Sequence, residues 1–373
     1  MSLLGARFLL IGVLVGAGLA YAAEDRVIMV RNNEVRSGVI TKADLDGVEL
    51  QMRDAKTSQV AKMTMGGAEI ANIEWDSGSP EYRSAMANYD SQHYAEGVRD
   101  FQSILNDKDD LEKFRAVCKP ALYFYYAQSL YLSGKPSEAI PAFEKLMNEF
   151  KNSYYVPAAV GSLVDCAIIT KDLSKVPPLL SQLRALGMEQ KALADYYEGQ
   201  MLLAQNKAKE ADSKFAAAAG GSSVPSTKGM ALMGQAKCAV GEGNLVKARD
   251  LAQKALAAGA PRDVSGAAHL VIGDAVLAEV EAQKPTGDVL QTKLMDALLE
   301  YMRVLEQYRG NVDNEAQAML HAGDALIKLS KLPNRSADMH RAITLYTKLV
   351  QDPRYRSTRY AGLAETAMKA IRR

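Results

Sequence analysis

The 373-residue sequence has a single tryptophan, only 7% aromatic residues, three cysteines, four histidines and almost no net charge. Each scarcity excludes something. Lysine and arginine number 45 against 44 aspartate and glutamate, so the basic excess of a nucleic-acid-binding domain is missing. Cys118, Cys166 and Cys238 form no CxxC pair, which leaves no metal knuckle and no thioredoxin-like site, and an odd count leaves at least one thiol unpaired. Cys166 and Cys238 lie in apolar helical stretches, where a free cysteine packs as a small hydrophobe, so three structural thiols are expected. His93, His269, His321 and His340 are scattered without metal-ligand spacing, and surface or satisfied structural roles are expected for them.

What is present begins with an export signal. Arg7 precedes the apolar run Phe8 to Leu19, and Ala20-Tyr21-Ala22 has the small-x-small form of a cleavage site. A membrane-spanning helix needs ~20 apolar residues, and Glu24, Asp25 and Arg26 end the run too early. Residues 1–22 are therefore expected to be a cleaved signal peptide, leaving a periplasmic or otherwise exported chain with no membrane span.

Residues 23–77 alternate with period two. Val27-Ile28-Met29-Val30, Val35 to Thr41, Val48 to Met52, Val60 to Met65 and Glu69 to Trp75 read as five short strands, with turns at Arg31-Asn32-Asn33 and Asp44-Leu45-Asp46-Gly47. Ser37-Gly38-Val39-Ile40, Asp46-Gly47-Val48-Glu49-Leu50, Ile70 and Ile73 resemble the strand core of Sm-like or SH3-like modules. That resemblance implies a small β-barrel. Cytosolic relatives of this kind can bind RNA; export, Asp44, Asp46 and the lack of a basic face argue against it here.

Ser77-Gly78-Ser79-Pro80 marks a boundary, and residues 78–373 read as helical hairpins ending in a capping helix from Thr358 to Ile371. In Ala121 to Glu149, Ala127 is small, Gly134-Lys135 turns the chain, and Ala139 and Phe143 stand one turn apart. This segment resembles a tetratricopeptide (TPR) unit, and similar spacings recur at Ala85, Gly97 and Phe101; at Gly199, Ala211 and Phe215; and at Ala236, Ala248 and Ala255. Gly273 with Ala297 and Tyr301, and Gly323 with Ala342 and Tyr346, continue the series, while Pro177 and Pro178 disturb a divergent third hairpin. The fold class is thus mostly α, a TPR-like α-solenoid preceded by a small all-β barrel.

No catalytic constellation stands out, and neither metal nor cofactor is implied. Gly220 to Lys228 has Thr227 where a phosphate loop needs glycine, and reads as a linker between repeats. Asp109 and Asp110 read as isolated loop charges, and the sequon Asn334-Arg335-Ser336 is too common to carry meaning. The TPR resemblance implies a non-enzymatic scaffold whose first helices line a concave face and bind a protein or peptide there. The lining positions fall on Tyr82, Met86 and Tyr89; on Phe124, Gln128 and Tyr131; and on Tyr196 and Gln200. Glu149 to Tyr155 is similar to an inter-repeat segment of outer-membrane-assembly and cell-division TPR proteins, which makes a cell-envelope assembly component one alternative. An enzyme or enzyme subunit with dispersed active-site residues is the other.

Overall fold

The computed structural model describes residues 24–30, 34–53, 59–77, 79–356 and 358–371. The signal-like segment, the Arg31-Asn32-Asn33 turn and Gly78 lie outside the described residues. The chain divides into two compact units between Leu186 and Gly187.

The first unit opens with β1 (Asp25–Met29), β2 (Val35–Asp44), β3 (Gly47–Arg53), β4 (Val60–Met65) and β5 (Ile70–Glu74). They form a five-stranded antiparallel sheet in the order β4-β3-β2-β1-β5. Alternation decides which side faces in: Val27, Ile40, Val48, Leu50, Met65, Ile70 and Ile73 are all buried. Gly47, at φ +134°, turns β2 into β3 so tightly that a Cβ there would stand 2.0 Å from the Met65 carbonyl oxygen. Only glycine fits such a position.

Seven helices follow in this unit: α1 (Pro80–Asp90), α2 (Tyr94–Asn106), α3 (Lys108–Lys113), α4 (Lys119–Leu132), α5 (Pro136–Glu149), α6 (Val156–Thr170) and α7 (Val176–Arg184). Asp109 and Asp110 are not loop charges. They open α3, where the Asp107 carboxylate accepts from both of their backbone N–H groups, at 2.9 and 3.1 Å. Pro177 and Pro178 sit in the first turn of α7, where a missing N–H costs no helical hydrogen bond.

Sheet and helices share one core. Trp75 Nε1 donates to the Tyr155 hydroxyl at 2.7 Å, and Leu45 N donates to Asn152 O at 3.0 Å. The run Glu149 to Tyr155 is therefore the strip that seats the sheet, through a β-bridge between Asp44 and Ser153. Asp25 completes the seam. Its buried carboxylate accepts from Ile40 N at 2.8 Å, Asp76 N at 3.1 Å and Arg115 Nη2 at 2.5 Å. The last strand ends at Glu74 and the first helix begins at Pro80, within the first compact unit.

The second unit holds α8 (Met188–Ala204), α9 (Ala208–Gly221), α10 (Pro225–Gly241), α11 (Leu245–Ala257), α12 (Arg262–Gln283), α13 (Gly287–Gln307), α14 (Val312–Leu329), α15 (Ala337–Gln351) and the terminal α16 (Arg359–Ile371). These are TPR-like hairpins, and the small residues lie where hairpin packing needs them. A Cβ on Gly273 would meet the Tyr301 ring at 2.6 Å, and one on Gly323 would meet the Tyr346 ring at 2.3 Å. Of the Gly220 to Lys228 segment, only Ser222, Ser223 and Val224 form a link; Gly220 and Gly221 end α9 and Pro225 to Lys228 open α10, while Glu189 accepts from Ser222 Oγ, Ser223 N and Ser223 Oγ.

Candidate functional site

In each unit the first helices of successive hairpins touch one another: α1 with α4 and α4 with α6, then α8, α10, α12, α14 and α16 in turn. Among the described residues no comparable contact joins α9 to α11, α11 to α13 or α13 to α15. First helices therefore line the closer-packed face, and a binding surface would be built from their outward stripes.

The expected lining residues separate on this face. Tyr82 is 3% exposed and wedged edge-on between Phe101 and Phe114, with its hydroxyl lacking a partner among the described residues. It is a core residue, because α1 turns this position toward α2 and the loop after α3. Tyr89 is half-buried against Tyr94 and Tyr125, and burial pushes its phenol well above the usual range. Phe124 stacks on Tyr155 at 4.9 Å and leans on Phe143 at 6.2 Å, so most of its contacts are structural. Gln128 Oε1 accepts from Ser162 Oγ of α6 at 2.8 Å, which joins two hairpins. Met86 and Tyr131 remain as half-buried side chains, and burial pushes the Tyr131 phenol up to about 12.

In the second unit, Gln200 Nε2 donates to the Tyr196 hydroxyl at 2.6 Å, while Gln200 Oε1 is buried without a donor among the described residues. A buried acceptor left unmet costs ~1–3 kcal/mol, so a bound N–H or O–H there would be rewarded.

The polar network farther along joins residues that sequence spacing alone does not bring together. Asp274 of α12 accepts at Oδ1 from the Tyr301 hydroxyl at 2.7 Å and bonds His321 Nδ1 at 2.6 Å; Gln317 Nε2 reaches its Oδ2 at 3.3 Å. Gln317 Oε1 accepts from the Tyr360 hydroxyl at 3.0 Å, and Arg359 Nη2 donates to that same hydroxyl at 2.8 Å. Tyr346 donates to Asp324 at 2.6 Å. His269 is likewise satisfied by Glu300, at 2.6 Å. A signal existed: Gln317, His321, Asp324 and Lys328 recur at helical spacing within the otherwise apolar stretch of α14 after Glu315.

Burial alone would lower the His321 pKa, but the hydrogen bond and charge of Asp274, with the charge of Asp324, outweigh it against Arg359, and the net shift is upward. A folded-state pKa above the unfolded one stabilises the protein fully below about pH 6.5, and that gain is lost as pH rises through the folded value. Thermal midpoints of wild type and His321→Gln should accordingly differ most in mildly acidic buffer and converge in alkaline buffer. A constant gap across that range would mean that His321 does not titrate in this network.

The Asp274–His321 dyad lacks a nucleophile: among the described residues, no hydroxyl or thiol is bonded to His321 Nε2. Burial raises the three thiols, Cys118 and Cys166 to about 12 and Cys238 to about 11, so none is a thiolate near neutrality. All three are free and buried.

No protein-family model matches the chain, and no curated protein matches it. Solved structures do. PilF of Pseudomonas aeruginosa is 13% identical, over 68% of this chain and 100% of its own, with a TM-score of 0.45. PilW, described as a widely conserved type IV pilus biogenesis factor, is 13% identical, over 66% of this chain and 98% of its own, with a TM-score of 0.43. A tetratricopeptide repeat protein from Parabacteroides merdae is 12% identical, over 80% of this chain and 99% of its own, with a TM-score of 0.45. At these scores the likeness does not bear on function.

Proposed function

We propose that the chain is an exported, non-enzymatic scaffold of the cell envelope that binds a protein or peptide along its first-helix faces. The observation that carries this reading is the makeup of those faces. Met86, Gln128, Tyr131, Tyr196 and Gln200 are half-buried there, mixing apolar area with amide and phenol groups that can bond a peptide backbone. The buried tyrosines and thiols are raised by desolvation, which equips none of them for nucleophilic chemistry at neutral pH, and the raised His321 and Asp324 are engaged by Asp274 and Tyr346. Export rests on the Arg7, apolar run and Ala20-Tyr21-Ala22 order.

Met86→Ala with Tyr131→Ala tests the face while sparing the core residues Tyr82 and Phe124. Removing an aromatic anchor typically costs at least ~2 kcal/mol of binding, roughly a thirtyfold loss. Pull-down from envelope extract with wild type should enrich at least one protein that the folded double variant recovers weakly or not at all. Equal recovery of the same proteins would remove this face from the binding surface.

A further inference from the structure

We propose that the free edge of β4 pairs with β4 of a second copy, so that two chains share one continuous antiparallel sheet about a two-fold axis at Met63.

The strand order β4-β3-β2-β1-β5 leaves two edges, and they differ. The β5 edge is blunted. Its pairing with β1 is broken by a bulge between Ile28 and Met29, Ile73 N donates to the Asn72 side chain at 2.9 Å, and the Tyr125 hydroxyl of α4 donates to the same oxygen at 3.4 Å. Bulges and covering groups keep an edge from recruiting another strand. β4 carries neither. Val60 to Met65 pair with Arg53 to Val48 without a shift in register, and the strand holds no proline. Among the described residues no backbone hydrogen bond joins β4 to anything but β3. Its one charge does not guard the edge either, because Lys62 Nζ is drawn back onto Glu49 of β3 at 2.6 Å.

The inner face beside this edge is incomplete. Val48 and Leu50 of β3 are fully buried, whereas Met52 of β3 and Ala61 and Met63 of β4 are only half-buried. Arg36 reaches Met63 Sδ from β2, the side away from the edge. A half-covered apolar row next to a line of unpaired N–H and C=O groups fits a further strand.

A second copy fits that place better than a flexible segment of another protein. It presents the strand already extended, so pairing meets little ordering cost. It also matches in sequence. Extended backbone continues from β4 to Gly66 (φ −67°, ψ 145°), so the run from Val60 to Gly66 is centred on Met63. A two-fold axis there sets Met63 against Met63 and Ala61 against Met65 on the inner face, and Lys62 against Thr64 and Val60 against Gly66 on the outer one. No like charges meet. Val60 is 55% exposed, and a Cβ on Gly66 would find nothing beyond its chain neighbours closer than Glu69 Oε2 at 3.7 Å, so the larger side chain meets open space.

The test is sedimentation velocity on the full chain and two variants of Thr64, an exposed residue. Wild type should sediment as a dimer at micromolar concentration and dissociate on dilution. Thr64 faces Glu49 within the chain and Lys62 across the proposed axis. Thr64→Lys therefore gains an opposite charge inside the chain but sets lysine against lysine between copies, and Thr64→Glu does the reverse. Thr64→Lys should weaken the dimer by about 10-fold and Thr64→Glu should tighten it, while thermal midpoints of the diluted monomers shift in the opposite order. Those opposed shifts separate pairing from folding. A wild type that stays monomeric, or a dimer that both variants leave unchanged or weaken alike, would overturn the proposal. So would a monomeric wild type whose Thr64→Lys variant loses a protein recovered by pull-down, which would give the edge to a strand from another protein.

Discussion

Asp25→Ala should lower the stability of the first unit by ~3–5 kcal/mol, the usual cost of removing one partner from a buried ion pair. Asp25 is 0% exposed, and its loss would remove the side-chain acceptor of the buried Ile40 N and of Asp76 N and break the ion pair of Arg115, which is 32% exposed. Arg115 also donates to Ile40 O at 3.3 Å, so the pair fixes the start of β1 to the middle of β2 and to the loop before α4. The only tryptophan reports on this seam, because Trp75 bonds Tyr155 within it. Urea unfolding of Asp25→Ala followed by Trp75 fluorescence should show a lower midpoint, and an Arg115→Met change in the same background should add little. An unchanged midpoint would mean that the sheet is held by the apolar core alone.

Neither partner of that bond is visible in the sequence. Asp25 reads only as one of the charges that end the apolar run, and 90 residues separate it from Arg115. Local periodicity carries no record of such pairings. It does carry the rest well. Strands with period two and hairpins with small residues at crossings are legible because each follows from how a side chain meets its nearest neighbours. Val60–Met65 and the helices around Ala127 and Ala139 form where that pattern puts them. The stripe on the first helices is legible only in part. The TPR resemblance implies lining positions at Tyr82 and Phe124, but it cannot say whether an aromatic from a later segment, such as Tyr155, will cover that face. The run Glu149 to Tyr155 shows the same limit: it has the form of a link between repeats, and here it also seats a sheet. Scattered histidines are expected to be structurally satisfied, and His269 and His321 are, yet the carboxylates that satisfy them lie 31 and 47 residues away.

The second large effect is expected at Phe215, whose ring lies between two first helices. A Cβ on Gly199 of α8 would meet that ring at 2.7 Å, and one on Gly234 of α10 at 2.5 Å. Two glycines from successive hairpins thus leave room for one phenyl ring, which is 1% exposed. Phe215→Ala empties that space and should cost ~3–5 kcal/mol. Gly199→Leu overfills it and should cost ~1–3 kcal/mol in the wild-type background. The two changes act on the same volume, so they should not add: Leu at 199 would partly fill the space that Ala at 215 vacates, and the double variant should be more stable than Phe215→Ala alone. Thermal unfolding of the four proteins followed by circular dichroism measures the coupling. A double variant that loses the sum of the two single losses would show that Gly199 and Phe215 do not share that space, and that α8 and α9 do not pair through this ring.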